Sequence, residues 1–369
     1  METALQPLRK RNVNLDLLRL ISCAFVILVH TSSTIAYMTV SDDGWKIIHI
    51  YNSFAHSGNI LFLMISGSLL LSEDYHFEAK KFYTHNFLKL AVSYVLWLII
   101  FNAIGVIRFV TVEEGSFSLA VVQDAVKNVI RGIASYQFWF LPMLLGLYLL
   151  LPMLRAICHG NKWLASYFVG LFLIAYILFQ TILYFDFPHK YLFESVMTRI
   201  PFTLINHYAG YFVMGYLLAG LLQRGRIRHG RASGLVLIAA GVLLSLMGDL
   251  ILTAQYGSGN SLAMNEMFSL CPCMIASGFF LFINSLRLRE GTRLPALLQT
   301  LSGLTFGVYM LHPLLLSPVR TLTEGLHVSS ALKIPLETIL LLICCMAVVY
   351  VLSLIPFLRK WLLFIGRKS

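Results

Sequence analysis

Apolar runs of about twenty residues recur from one end of the chain to the other, and they leave very few ways to fold it. A helix of that length is about 30 Å long, the thickness of the hydrocarbon layer of a bilayer. Inside that layer no water satisfies the backbone, so each run must close its own hydrogen bonds as a helix. The runs lie near residues 15–36, 51–71, 87–109, 138–157, 163–184, 200–222, 232–253, 267–286, 301–319 and 335–358. The expected fold class is all-α, a polytopic integral membrane bundle of about ten transmembrane helices forming a single membrane domain over 1–369. Composition agrees, with 58% of residues hydrophobic and only 12% charged. That is about half the charge of a soluble domain, too little to cover the chain's own surface in water.

The net charge of +11 does not point to nucleic acid, because the basic residues sit in short connections between apolar runs. With loops assigned alternately, eighteen basic residues fall on the amino-terminal side: Arg9, Lys10, Arg11, Lys80, Lys81, Arg155, Lys162, Arg224, Arg226, Arg228, Arg231, Arg287, Arg289, Arg293, Arg359, Lys360, Arg367 and Lys368. Seven fall opposite: Lys46, Lys127, Arg131, Lys190, Arg199, Arg320 and Lys333. The positive-inside rule then places both termini in the cytoplasm. Arg9, Lys10 and Arg11 precede a run that contains Asp16 and Arg19 and lacks a small-residue cleavage site, so the run is expected to stay as the first span. The six cysteines show neither metal-finger spacing nor a disulfide framework and read as small core hydrophobes, with Cys271-Pro-Cys273 a helix distortion rather than a redox pair. Pro201 and Pro313 fall within spans six and nine, and the tenth ends near Pro356. In the connection 110–137, Val122, Val126, Val129, Ile130 and Ile133 are spaced for an amphipathic helix on the outer face of the membrane. No metal site is expected.

Ionisable residues inside spans are costly, which makes each a candidate for function. Asp16 and Arg19 are three apart, hence neighbours on one helix face. Arg19 and His30 are eleven apart, close to three turns, so they share a face about 16 Å apart along the axis. A fixed cation and a titratable base thus stand toward opposite sides of the bilayer. The bland reading is a structural ion pair and a hydrogen-bonded interfacial histidine. Against it, His56, His207 and His312 also fall in the outer halves of their spans, while Lys89 joins Arg19 at the inner ends. That distribution suggests a polar cavity crossing much of the membrane.

Asp16-Leu-Leu-Arg19, followed after ten residues by His30, resembles the signature of the membrane acyltransferase 3 family. Later motifs keep the family's order: Phe62-Leu-Met-Ile-Ser-Gly-Ser68, Phe82-Tyr-Thr-His-Asn-Phe-Leu-Lys89, Gln137-Phe-Trp-Phe-Leu-Pro142, Tyr211-Phe-Val-Met-Gly-Tyr216 and Thr305-Phe-Gly-Val-Tyr309-Met-Leu-His312. The resemblance covers nearly the whole chain and is nearest to the branch that includes the enterobacterial common antigen O-acetyltransferase. Asn86 and Lys89 stand where many relatives have two arginines, Gln137 where a histidine is common, and Ser68 where a tyrosine is common.

The resemblance implies an O-acyltransferase of the bacterial inner membrane. It would move an acyl group, usually acetyl, from cytoplasmic acyl-coenzyme A, a donor substrate rather than a resident cofactor, to a hydroxyl of an envelope glycan or lipid-linked saccharide. Membrane lipid is then the expected surrounding, nucleic acid is no partner, and a homo-oligomer is compatible with the chain. Arg19 and Lys89 would hold phosphate or the donor's polar arm, and arginine favours bidentate pairing. His30 would either take the acceptor's proton or carry the acyl group itself. Asp16 accompanies Arg19, and Gln137, His56, His207, Tyr309 and His312 are carried as substrate-side candidates.

Other readings stay paired. Tyr136 and Trp139 suit an aromatic belt or a sugar-stacking surface; Ser66-Gly67 suits helix packing or approach by the pantetheine arm. His312 before Pro313 suits a kink or the acceptor site. Asp249 reads as interfacial, and Arg224, Arg226, Arg228 and Arg231 as topology signals or contacts for coenzyme A phosphates. Two rival classes are a transporter or exporter of a small molecule or polysaccharide, and a structural membrane partner.

Overall fold

The first helix is started by a side chain. Asn12 turns its amide oxygen onto the backbone N–H of Asn14, and its carbonyl accepts from Leu15 and Asp16. From there α1 runs over Val13–Ser32. The computed structural model describes residues 12–32, 45–112, 116–199, 207–257, 262–288, 293–326 and 328–365. Arg9, Lys10, Arg11, Pro201, Arg289, Arg367 and Lys368 lie outside the described residues, as do the expected span edges 33–36 and 200–206.

The described chain is helical between its turns, with no strand among the described residues. α2 (Trp45–Ala55) and α3 (Ser57–Leu70) form one span, broken at His56. The break has a local cause: Asn52, Ser53 and Ser57 each donate a side-chain hydrogen bond to a carbonyl three or four residues back. α4 (Ala79–Thr111) carries a π-turn at Phe82–Phe87. α5 (Leu119–Arg131) is the expected amphipathic helix. Ser118 caps its start, Gly132 at φ 71° ends it, and Val126 and Ile130 stay exposed. α6 (Phe140–Gly160), α7 (Trp163–Leu183), the short α8 (Lys190–Arg199), α9 (His207–Gln223), α10 (Gly230–Tyr256), α11 (Leu270–Asn284), α12 (Arg293–Glu324) and α13 (Ser330–Ser353) follow.

Nine stretches among the described residues are long and apolar enough to cross a bilayer. The sixth expected span, 200–222, is represented by the 17-residue α9, whose expected start lies outside the described residues. The observed boundaries are wider than the apolar runs. Span two begins at Trp45 rather than 51, and span nine covers Arg293–Glu324 rather than 301–319. The added turns mix charged or polar residues such as Lys46, His49, Arg293 and Arg320 with apolar ones, which ends a hydropathy run early. Pro313 and Pro318 sit inside a continuous α12. Pro272 lies in the first turn of α11, where its missing N–H costs nothing, so Cys271-Pro-Cys273 is a helix start and not a distortion. All six cysteines are free.

α1 is the hub, packed against α2, α3, α11, α12 and α13. Small residues let neighbouring backbones touch. A Cβ on Gly67 of α3 would collide with the carbonyl of Phe212 on α9, and one on Gly215 of α9 with Met64 of α3. Gly234 and Gly278 face one another in the same way between α10 and α11. Between helices in lipid, close van der Waals packing supplies what the hydrophobic effect supplies in water.

Candidate functional site

The site is assembled around α1. At its start Asp16 is buried, accepting from Arg19 at 3.1 Å and from the Ser302 hydroxyl of α12 at 2.7 Å. A buried carboxylate needs such partners, so Asp16 is an anchor that fixes the arginine stem. Arg19 is 29% exposed and lines a cavity of about 1090 Å³. Ser66, Tyr148, Thr305, Tyr309 and Arg359 also line it. Lys89 stands beside it, its Nζ 4.4 Å above the ring of Phe364, a lining residue. Two guanidiniums and an adjacent ammonium thus gather at one end, with no carboxylate lining the cavity among the described residues.

The far end closes on aromatic rings. Tyr309 meets Phe140 at 5.2 Å and Phe62 at 6.4 Å between ring centroids, and its hydroxyl donates to the Gln137 carbonyl at 3.1 Å. One layer beyond, the His312 ring lies 6.0 Å from Tyr309 and stacks on His30 at 5.1 Å. Tyr136 covers His30 at 4.3 Å. Arg320 donates to the His30 carbonyl at 2.6 Å, and His56 stands at the break between α2 and α3.

Proline sets the histidine chemistry. Pro313 has no N–H to give the carbonyl four residues back, which is that of Tyr309. His312 fills the vacancy, with Nδ1 2.7 Å from that carbonyl oxygen. A carbonyl only accepts, so Nδ1 carries the proton and Nε2 the lone pair. Nε2 is buried and has no hydrogen-bond partner among the described residues. Gln137 Oε1 and Arg320 Nε, on the neighbouring elements, are likewise buried and unpartnered. Unsatisfied polar atoms are rare in native interiors, and several in one small region mark a place built to receive something polar.

Not every candidate reaches this point. His207 lies in a separate aromatic group with Tyr176 at 4.5 Å and Phe268 at 5.4 Å. Trp139 is 40% exposed and rests on Tyr208 and Phe140, with Phe140 and Tyr309 between it and His312. Ser66 lines the cavity but returns its hydroxyl proton to the Phe62 carbonyl, while the neighbouring Gly67 serves packing. Among the described residues no group of three or more His, Cys, Asp or Glu is placed to hold a metal.

Asp249 is corrected outright. It is fully buried instead of interfacial, 2.8 Å from His49 Nδ1, and it accepts from Asn265 at 2.8 Å and from the Met264 N–H. His49 escaped the sequence reading because span two was started at 51, which left it in a loop. Arg320 was missed for the same reason, beyond a span ended at 319. A lone carboxylate inside span seven was the available signal, since it requires a buried partner.

A membrane-crossing helical bundle whose basic-mouthed cavity ends beneath a stacked pair of histidines has the plan of a membrane-embedded group-transfer protein. The chain belongs to the acyltransferase 3 family, whose model, described as an acyltransferase domain, matches residues 12–356. It is a membrane acyltransferase. No curated protein and no solved structure matches it.

Proposed function

We propose that this protein is an O-acetyltransferase of the bacterial inner membrane, using cytoplasmic acetyl-coenzyme A to acetylate an envelope glycan or a lipid-linked sugar. The observation that carries the reading is the cavity running from Arg19 and Arg359 to Tyr309, one ring layer from His30 and His312. Its basic end suits the donor's phosphates, and the basic bias of the loops at that end favours the cytoplasmic side. The distance from Arg19 to His30, about 16 Å along α1, suits a long flexible arm with a thioester at its tip. The aromatic neck of Phe62, Phe140 and Tyr309 favours a short acyl group. The likeness of the motifs to the common-antigen branch favours a glycan acceptor.

The chemistry follows from the two imidazoles. As the acceptor oxygen attacks the thioester carbonyl, its proton passes to an unprotonated imidazole nitrogen, the C–S bond breaks, and the imidazolium returns the proton to the leaving thiolate. In the other route an unprotonated His30 nitrogen attacks the thioester carbonyl, the C–S bond breaks and the coenzyme A thiolate leaves. The acceptor hydroxyl then attacks the acyl-imidazole, the N–C bond breaks, and the hydroxyl proton ends on the thiolate. Arg19 and Lys89 bind the donor and Asp16 holds Arg19 in place.

The test is transfer of radiolabelled acetyl from acetyl-coenzyme A in proteoliposomes, with mass spectrometry of envelope glycans from cells with and without the gene. His30→Ala should abolish transfer in a protein that still inserts and elutes normally. Arg19→Ala should raise the donor KM at least tenfold. A His30→Ala protein with the normal rate would remove the assignment. The exporter reading has no structural observation of its own in its favour, and purified protein that fails to bind acetyl-coenzyme A would revive it.

A further inference from the structure

A second cavity, of about 800 Å³, shares no lining residue with the first. Ser66 of α3 lines the donor cavity and Ser68 lines this one; Arg19 of α1 lines the first and Leu15 the second. The walls are the ends of α1, α3, α9 and α11 and the start of α10. Three guanidiniums, Arg228, Arg231 and Arg287, and the imidazole of His229 stand around it, and among the described residues no carboxylate lines it. Arg231 is fixed by its Nε–H, which donates to the Ser285 carbonyl at 3.0 Å. Arg228 and Arg287 have no ion-pair partner among the described residues, whereas nearby Arg224 lies 3.4 Å from Glu73 and is not part of the lining. Gly230, Arg231 and Ala232, the first residues of the 27-residue α10, line the same space, and the helix starts without a side-chain cap. Uncompensated guanidiniums with free amides recognise phosphate.

We propose that this cavity is a binding site for the phosphate of an anionic phospholipid. The surroundings favour a lipid over a soluble phosphate. Leu15, Leu222 and Ile227 give the cavity an apolar wall. One turn along α10 from Arg231, Leu235 and Val236 are 53% and 66% exposed, which provides a track for acyl chains directly beyond the headgroup. Basic pockets between helix ends at the level of the headgroups are suited to such lipids. The site is separate from the donor cavity, so lipid held there would brace α10 and α11 against α1 without entering the reaction.

The test uses the full-length protein in detergent with phosphatidylcholine. Adding phosphatidylglycerol should raise Tm by about 5 °C, as a ligand in excess over its Kd does for a protein of this size. Native mass spectrometry should show phosphatidylglycerol, but not phosphatidylcholine, retained on the wild type. R228Q/R287Q should lose both effects. R224Q/R226Q, which removes equal charge from outside the cavity, should keep them. Equal loss in the two variants would reduce the effect to general surface charge and overturn the site. A shift given by inorganic phosphate or adenosine 3′,5′-bisphosphate, and not by phosphatidylglycerol, would replace the lipid with a soluble ligand and overturn the proposal. If R228Q/R287Q fails to fold, the wild type decides: no retained phosphatidylglycerol ends the proposal, and selective retention sustains it.

Discussion

The pairing of His312 with the Tyr309 carbonyl depends on the absence of one hydrogen atom. With proline at 313 the carbonyl is left to the imidazole, which holds Nδ1–H and leaves Nε2 unprotonated. Pro313→Ala would restore a backbone N–H for that carbonyl. We expect it to lower kcat about tenfold while leaving the donor KM unchanged, because the helix survives and only the tautomer is released. Steady-state kinetics over a range of pH checks this, and a wild-type rate would show that the carbonyl does not set the histidine's role. Asp16 acts through Arg19 in a comparable way. Asp16→Leu should cost stability as well as donor affinity, since Arg19 and the Ser302 hydroxyl each lose a buried charged acceptor.

Among elements, the contact of α3 with α9 is the most exacting. Gly67→Leu drives a side chain into the Phe212 carbonyl, and overpacking of this kind costs about 1–3 kcal/mol or more. The expected outcome is loss of the monodisperse peak in fluorescence-detected size exclusion, with Gly146→Leu, which meets nothing within 4 Å, as the neutral control. The junction of α2 with α10 rests on the buried His49–Asp249 pair and its extension through Asn265, Ser245 and Ser53. Asp249→Leu strands His49, Asn265 and the Met264 N–H together. A fall in Tm of several degrees is expected, on the order of 3 kcal/mol, measured in detergent by thermal scanning.

For the whole molecule the deciding feature is a cavity with Arg19 and Arg359 in its wall and Tyr309 between it and the two histidines. Thr305→Trp, at a buried residue lining the cavity, should plug it and abolish transfer, at an overpacking cost of about 1–3 kcal/mol. Full activity in that variant would place the donor's route elsewhere. The topology is tested by single cysteines at Ser72 and Ser118 in a chain whose native cysteines are replaced by alanine. An impermeant thiol reagent added to intact spheroplasts should label the cysteine at 118 and spare the one at 72.

Much of this was legible in one dimension. Twenty-residue apolar runs dictate helices because lipid offers the backbone no other partner, and the spacing of Asp16, Arg19 and His30 puts them along one side of α1 because a helix has a fixed period. The amphipathic stretch after span three was readable for the same reason. Span edges were not, since single charged or polar residues in otherwise apolar end turns cut a hydropathy run short, and that hid His49 and Arg320. Nothing in the spacing of residues could announce that Asp249 meets His49 across two hundred positions, that His312 stacks on His30, or that His207 turns away to Tyr176 and Phe268. Local periodicity is a property of the chain itself and survives in the sequence. Which faces meet is settled by small residues admitting one backbone to another and by buried polar groups requiring partners, and both act only after the helices have come together.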